Sequence, residues 1–582
     1  MQMFDTWAKI QSGLLLGNTV NPGHFIECVS FRHDAIQGQH CMTTASAKVN
    51  STLTPEDELF DWREIGTLAR ERNLNLVAGI CLPASCSPAK VVEYSNNYFL
   101  EADLEAASTV CRNNDPVPFG WIDYFAISVF SLLLLIATGS TSYEIWALKK
   151  GDIPNKLLTA FSVYTHGSKL FTVKKTKSPN VIDCLNGLRT LSIFWIIFGH
   201  RFNDRNLVPV FNDASKFHRN YLYLLFTNYD KPVETFFVIG GLLVTTTFMS
   251  ALDSKTVNIP RMYLHRYLRY TPSLALIILF HLAFTKFLGS GPFFEANTEN
   301  CERYWWTALL HVTVYTNPAF PCWDVSWYLA VDFQLFLISP LLIYPVWRWG
   351  KKTFWILPTL VLLVQGCIFS TVYGRSINVY FFQMTTLEGI FNWLEKWYFP
   401  THLRLGGWVV GIMLGYLMHQ TAGKKVKINK FVDAALWILS LSVLLAIVLG
   451  HYPFIQMDNN PSRFLNALYN TCFRICWSYA VAWIIFSCHN GFGGIIRWFL
   501  SLKEWQPLGK LGLSIYLVHN LYQIITTINQ KQPIIWDFFT QTQKFYGDVL
   551  VSIFLGTILY LGIENPVLLI ENYLYNKIKG SK

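Results

Sequence analysis

About eleven stretches of roughly twenty apolar residues, broken by polar loops, run through this chain, and a bilayer core about 30 Å thick takes one such stretch per helix. They lie near 121–147, 181–201, 232–251, 271–289, 325–347, 353–373, 402–420, 431–450, 471–488, 508–528 and 548–568. Hydrophobic residues make up 52% of the 582 and charged ones only 14%, against about 25% charged in soluble domains. Backbone exposed to lipid must satisfy its own hydrogen bonds, so the stretches are expected to be helices. The expected fold class is an all-α polytopic membrane protein of about 11 transmembrane helices. The first 120 residues contain no such stretch and form a separate small domain. The net charge of +10 does not point to nucleic acid, because Lys and Arg fall in short runs between apolar segments rather than in one basic block.

Those runs report topology. With the N-terminus outside, the inner loops hold Lys149, Lys150, Lys174, Lys175, Arg266, Arg269, Lys351, Lys352, Lys424 and Lys425 among others, and the outer loops hold about half as many cations. The basic loop 201–231 runs against this, but an odd helix count agrees with it. The N-terminal domain is therefore expected in the lumen or outside the cell, the C-terminus in the cytoplasm, and the whole chain in the endoplasmic reticulum or plasma membrane. Cysteines point the same way, since disulfides persist in oxidising compartments. Cys28, Cys41, Cys81, Cys86 and Cys111 lie in the N-terminal domain, and Cys301 and Cys322 share one predicted outer loop and are a disulfide candidate. Asn50-Ser51-Thr52 is a glycosylation sequon. The chain opens on MQMFDTWAKI without an apolar leader and five cysteines leave one over, so a signal segment and a sixth cysteine are expected upstream; a free thiol is the alternative. Acids early and arginines late in PEDELFDWREIGTLARERNLNLV suit a helix dipole, and predict a mostly helical N-terminal domain pinned by disulfides. The expected divisions are 1–118 for that domain, 119–148 for the first span, 149–180 for a Lys-rich cytoplasmic linker on anionic lipid, 181–570 for the bundle and 571–582 for a cytoplasmic tail.

Ionisable groups inside apolar helices are costly and so mark candidate function. In NVIDCLNGLRTLSIFWIIFGH, Arg189 and His200 are eleven residues apart, about three turns plus 20°, and share one helix face about 16 Å apart along the axis. An imidazole that titrates near neutrality suits general base catalysis on a hydroxyl attacking a thioester, and a guanidinium forks onto phosphate oxygens. The alternative is that Arg189 snorkels to the surface and His200 caps its helix. RYLRYTP places Arg266 and Arg269 on successive turns, as a phosphate-binding rim or a lipid-headgroup anchor. SWYLAVDFQLFLISP buries Asp332, which needs a partner: either His200, which it would orient, or an arginine on a neighbouring helix. LGKLGLSIYLVHN brings Ser514 and Tyr516 near His519, and IENP adds Glu564; these are substrate-binding candidates or hydrogen-bonded packing residues. No metal-ligand pair at credible spacing, Gly-rich phosphate loop or GxSxG elbow is present, so no metal or bound cofactor is expected.

Taken together, these segments resemble the acyltransferase-3 superfamily, in the animal branch named for nose-resistant-to-fluoxetine proteins. MFDTWAKIQSGLLLGNTVNPGHFIECVS and GICLPASCSP look like the branch's cysteine-bearing domain. LNGLR to GH, FFVIGGLL, RYLRYTP, WYLAVD, then LSIYLVH with ENP follow the superfamily's order. The resemblance implies transfer of an acyl group from cytoplasmic acyl-CoA, as co-substrate, to a hydroxyl of a lipid, sterol or sugar. His200 is the implied base, Asp332 a catalytic partner, and Arg189, Arg266 and Arg269 the implied donor contacts. At WYLAVD the wider superfamily often has Glu where this chain has Asp332. The branch is also associated with lipid or small-molecule uptake, so a non-catalytic carrier is the competing reading. Membrane lipid, acyl-CoA, an acyl acceptor and a partner for the N-terminal domain are the implied partners.

Overall fold

A computed structural model describes residues 2–8, 18–33, 36–47, 75–99, 104–173, 182–202, 204, 207–212, 220–294, 298–380, 387–456 and 459–580. In the N-terminal region, alternation rather than helical period governs the packing. Strand β3 (Ile36–Ala47) buries Cys41, Thr43 and Ala45 while the residues between them are less enclosed, the period of two that a half-buried strand requires. It lies between β4 (Leu76–Pro83) and β5 (Leu104–Arg112), both antiparallel to it; β1 (Val20–Asn21) joins β4 in parallel and β2 (Arg32–His33) pairs with β3. Cys41 stands opposite Cys111 and is bonded to it, and Cys28 is bonded to Cys81. Trp7, Ile80, Leu104 and Ala106 close a small core over these bridges.

This corrects the expectation of a mostly helical domain. Strand pairs far apart in sequence, with disulfides across them, outweigh local helix propensity, which is a weak prior. Leu76 and Val77, at the end of the expected helix, instead start β4. Most of that helix, and Asn50, lie outside the described residues. Cys86 is the unpaired cysteine of the five.

Each of the eleven apolar stretches is helical: α1 (Trp121–Lys150), α2 (Cys184–Phe202), α3 (Lys231–Asp253), α4 (Ile259–Phe284), α5 (Ser326–Trp349), α6 (Ile356–Arg375), α7 (Thr401–Thr421), α8 (Lys430–Gly450), α9 (Arg463–Asn490), α10 (Trp505–Ile528) and α11 (Phe538–Leu559). Among the described residues nine helices are long and apolar enough to cross a membrane, and this set leaves out α2 and α7. A π turn at Tyr560–Glu564 runs α11 on into a helix over Asn565–Gly580, so the expected tail continues the last helix. The linker also has structure. Its helix Val163–Phe171 is tied to α1 by Glu144, whose carboxylate accepts from the hydroxyls of Ser162 and Thr165.

Burial sorts the helices. Only 11% of the apolar windows of α1 and α8 is covered by protein, against 72% for α10, so α10 is central and α1 and α8 lie at the rim. Helices α3 and α7 approach backbone to backbone: a Cβ on Gly411 would lie 2.3 Å from the Val238 carbonyl, a contact open to glycine alone. The N-terminal domain meets the bundle where α10 ends, with Gln532 donating to the Gly23 carbonyl at 2.8 Å. The Cys301–Cys322 disulfide follows α4, whose end meets the same loop through Asn529 and Leu288.

Candidate functional site

The face of α2 predicted from the Arg189–His200 spacing lines a cavity of about 270 Å³. Arg189, Ile193 and Ile196 form its wall along α2, and His200 stands one turn beyond Ile196. Helix α4 contributes Arg266, Arg269 and Tyr270, α5 contributes Tyr328 and Asp332, and α10 contributes Tyr516.

At the dyad, His200 Nδ1 lies 2.8 Å from His519 Nε2, and His519 Nδ1 lies 2.7 Å from the Tyr516 carbonyl. A carbonyl only accepts, so His519 Nδ1 carries the proton and its Nε2 is the acceptor for His200 Nδ1–H. Two neutral rings satisfy this chain, and it leaves His200 Nε2 with a bare lone pair and no partner among the described residues. The surrounding structure holds that ring in place. Arg201, the next residue, spends its guanidinium on Asp548 at 2.6 Å, Asp204 at 3.1 Å, Thr527 at 3.0 Å and Thr526 at 3.1 Å, bolting the end of α2 to α10 and α11. Gln523 donates to both Asp548 and the Ile197 carbonyl.

Asp332 takes the second of the two partners foreseen for it. It accepts from Arg266 Nε at 3.1 Å and from Tyr270 Oη at 2.7 Å. The imidazole of His200 is thus oriented by His519, and Asp332 instead fixes Arg266 in the cavity wall; this corrects the expectation that Asp332 could position the histidine. His519 was foreseen as a substrate contact and does not line the cavity. Ser514 and Glu564 bond to each other at 2.6 Å and stand behind the lining, with Glu564 close enough to Arg269 to interact electrostatically. Tyr516 lines the cavity and donates to the Val325 carbonyl at 2.9 Å. Three guanidinium groups therefore share the cavity with one carboxylate in its wall and one behind. Arg189 has no hydrogen-bond or ion-pair partner among the described residues.

A second buried charge cluster escaped the sequence reading. Arg404 of α7 pairs with Glu234 of α3 and donates to the Tyr398 carbonyl at 2.8 and 2.9 Å, and Arg474 of α9 lies 3.6 Å from the same glutamate. The signal was available, since all three are ionisable residues in apolar helices.

An intramembrane histidine pair beside an arginine-lined apolar cavity, in a helical bundle with a disulfide-bonded domain at one end, defines a class of polytopic membrane protein. Residues 182–563 match the acyltransferase domain model and residues 1–94 the nose resistant-to-fluoxetine N-terminal domain. The chain belongs to the acyltransferase-3 family, in its nose-resistant-to-fluoxetine branch. It is 24% identical to nose resistant to fluoxetine protein 6 of Caenorhabditis elegans, over 99% of this chain and 78% of that one. It is 23% identical to regulator of hypoxia-inducible factor 1 of the same organism, over 62% of this chain and 75% of that protein. To the O-acetyltransferase OatA of Staphylococcus aureus it is 24% identical, over 68% of this chain and 58% of that protein.

Proposed function

We propose that this protein transfers an acyl group from acyl-CoA to a hydroxyl, with His200 as the general base. The observation that carries this reading is the His200–His519 hydrogen bond, one helical turn beyond the arginine-lined cavity. Arg189 and Arg269 receive the donor's phosphates, Arg266 is held ready by Asp332, and the acyl chain and thioester follow Ile193 and Ile196 toward His200. His200 Nε2 takes the proton of the acceptor hydroxyl as its oxygen bonds to the thioester carbonyl carbon. The C–S bond then breaks, and the proton passes from the imidazolium to the departing thiolate, regenerating the neutral ring. His519, held by the Tyr516 carbonyl, steadies the imidazolium through the same hydrogen bond. The relationship to OatA, named as an O-acetyltransferase, supports the reaction class.

The test is transfer from radiolabelled acyl-CoA in membranes holding the intact chain or His200→Ala at equal amounts of folded protein. Loss of about two to four orders of magnitude in rate is expected for the variant, the usual contribution of a positioned base. Donor binding without transfer by the intact chain, across alcohol, sterol and sugar acceptors, would turn the reading to a carrier.

A further inference from the structure

A second cavity, of about 120 Å³, lies at the other end of the His200 turn, and none of the described residues lines both cavities. Phe202, two residues beyond His200, forms part of its wall, as does Tyr229, whose ring centroid is 5.2 Å from that of His200. Tyr229 comes this close because residue 199 is glycine: a Cβ there would sit 2.0 Å from Tyr229 Cβ. Trp393 and Tyr398 add flat apolar walls.

Beside the hydroxyls of Thr227, Tyr229 and Tyr398, two polar groups of this cavity, His451 and Asp230, offer acceptors. Tyr469 Oη gives its proton to the Ile447 carbonyl at 2.7 Å, so its oxygen accepts from His451 Nδ1, 3.4 Å away. His451, only 2% exposed, is left with an unprotonated Nε2 that is buried and without a hydrogen-bond partner among the described residues. Asp230 lines the cavity too, with its two oxygens 2.9 Å or less from Lys231 Nζ and lone pairs to spare. Lys231 cancels the charge of Asp230, while Arg404 and Arg474 stand behind the Tyr398 wall, so a cationic ligand is disfavoured.

We propose that this cavity is a binding site for a neutral, ring-bearing molecule that presents hydroxyl donors to His451 Nε2 and Asp230, and that it holds the acyl acceptor. The second half of that statement rests on the acyltransferase reading; the first does not. A ring stacks on the aromatic walls, one hydroxyl satisfies the orphaned imidazole nitrogen, and the turn carrying Tyr229 brings the ligand beside His200.

The test uses the full chain in membranes without any acyl donor. Thr227, which lines the cavity, is replaced (Thr227→Cys), and its N-ethylmaleimide modification is followed by peptide mass spectrometry. Resorcinol is expected to slow modification. 1,3-Dimethoxybenzene, with the same ring and no donors, should need about tenfold more, and in His451→Phe the resorcinol requirement should rise about tenfold, the change that one ordinary hydrogen bond makes. Equal protection by both probes, or by neither, overturns the site, and this comparison stands even if His451→Phe fails to fold. If resorcinol protects but a folded His451→Phe transfers acyl groups with an unchanged acceptor KM, the acceptor assignment falls. Absence of transfer by the parent chain would instead count against the enzyme reading.

Discussion

Helix α2 carries two arginines twelve residues apart whose surroundings could hardly differ more. Around Arg201 two carboxylates and two threonine hydroxyls take up the guanidinium, and the residue is 3% exposed. Around Arg189 there is a cavity, two further arginines, and no partner of its own among the described residues. An enclosed charge left unpaired costs several kcal/mol unless something compensates it. Arg201 is compensated by the protein, and so is a structural bolt. Arg189 has no such compensation among the described residues, and in the proposed acyltransferase reading the donor's phosphates supply it. The difference teaches that an arginine in a membrane helix signals function through the partners it lacks, not through its presence.

The harshest way to break this contrast is to remove a partner of Arg201. Asp548→Ala removes two charge-assisted hydrogen bonds and leaves Asp204 as the carboxylate beside Arg201, so it is expected to destabilise the bundle by about 3–5 kcal/mol, read as an early unfolding midpoint of the purified chain in detergent. A midpoint that stays put would mean that the network around Arg201 is not structural.

A second buried base, outside the membrane, sharpens the contrast with pH. His40 in β3 is 1% exposed, sets Nε2 against the Pro22 carbonyl at 2.6 Å, and leaves Nδ1 without a partner among the described residues. Burial, opposed by that carbonyl and aided by the Arg112 charge, pulls its pKa from 6.5 down to about 4. Between those values the unfolded chain binds a proton that the folded domain refuses. Stability is therefore full above about 6.5, falls as pH drops toward 4, and is lower by about 3 kcal/mol once both states are protonated. Hydrogen exchange of β3 amides in the full chain, corrected for intrinsic rates, should show that slope, and His40→Phe should remove it. A flat profile in the parent chain would show that His40 protonates without opening the sheet.

The bundle was legible in the sequence because lipid imposes a length and a composition on each helix, and the Arg189–His200 face because the α-helical period is fixed. What stayed hidden depended on neighbours. Nothing within LSIYLVH says that His519 meets His200 rather than a substrate, and nothing in WYLAVD says that Asp332 turns to Arg266; both follow from packing between segments hundreds or scores of residues apart. Glu234, Arg404 and Arg474 were visible by the same criterion as Arg189 but belonged to no recognised motif. The N-terminal sheet was obscured because its longest strand is defined by partners at 76–83 and 104–112 rather than by its own composition.

The mildest test separates the two arginines by chemistry rather than by presence. Arg189→Ala removes a charge that no group among the described residues pairs with, so the unfolding midpoint should hold or rise. Acyl-CoA binding should weaken by about 2 kcal/mol, roughly thirtyfold in Kd, as when a charged hydrogen bond is lost. Arg189→Lys keeps the charge and gives up the planar fork, so about half of that loss is expected, with unchanged stability. At position 201 the same Lys substitution should act in the opposite sense, because a single ammonium cannot reach Asp548, Asp204 and both threonines at once: the bundle loses stability while any effect on donor affinity follows only from that loss. Should Arg189→Lys lower the unfolding midpoint as much as Arg201→Lys, Arg189 would be a second bolt, and the cavity would need another account.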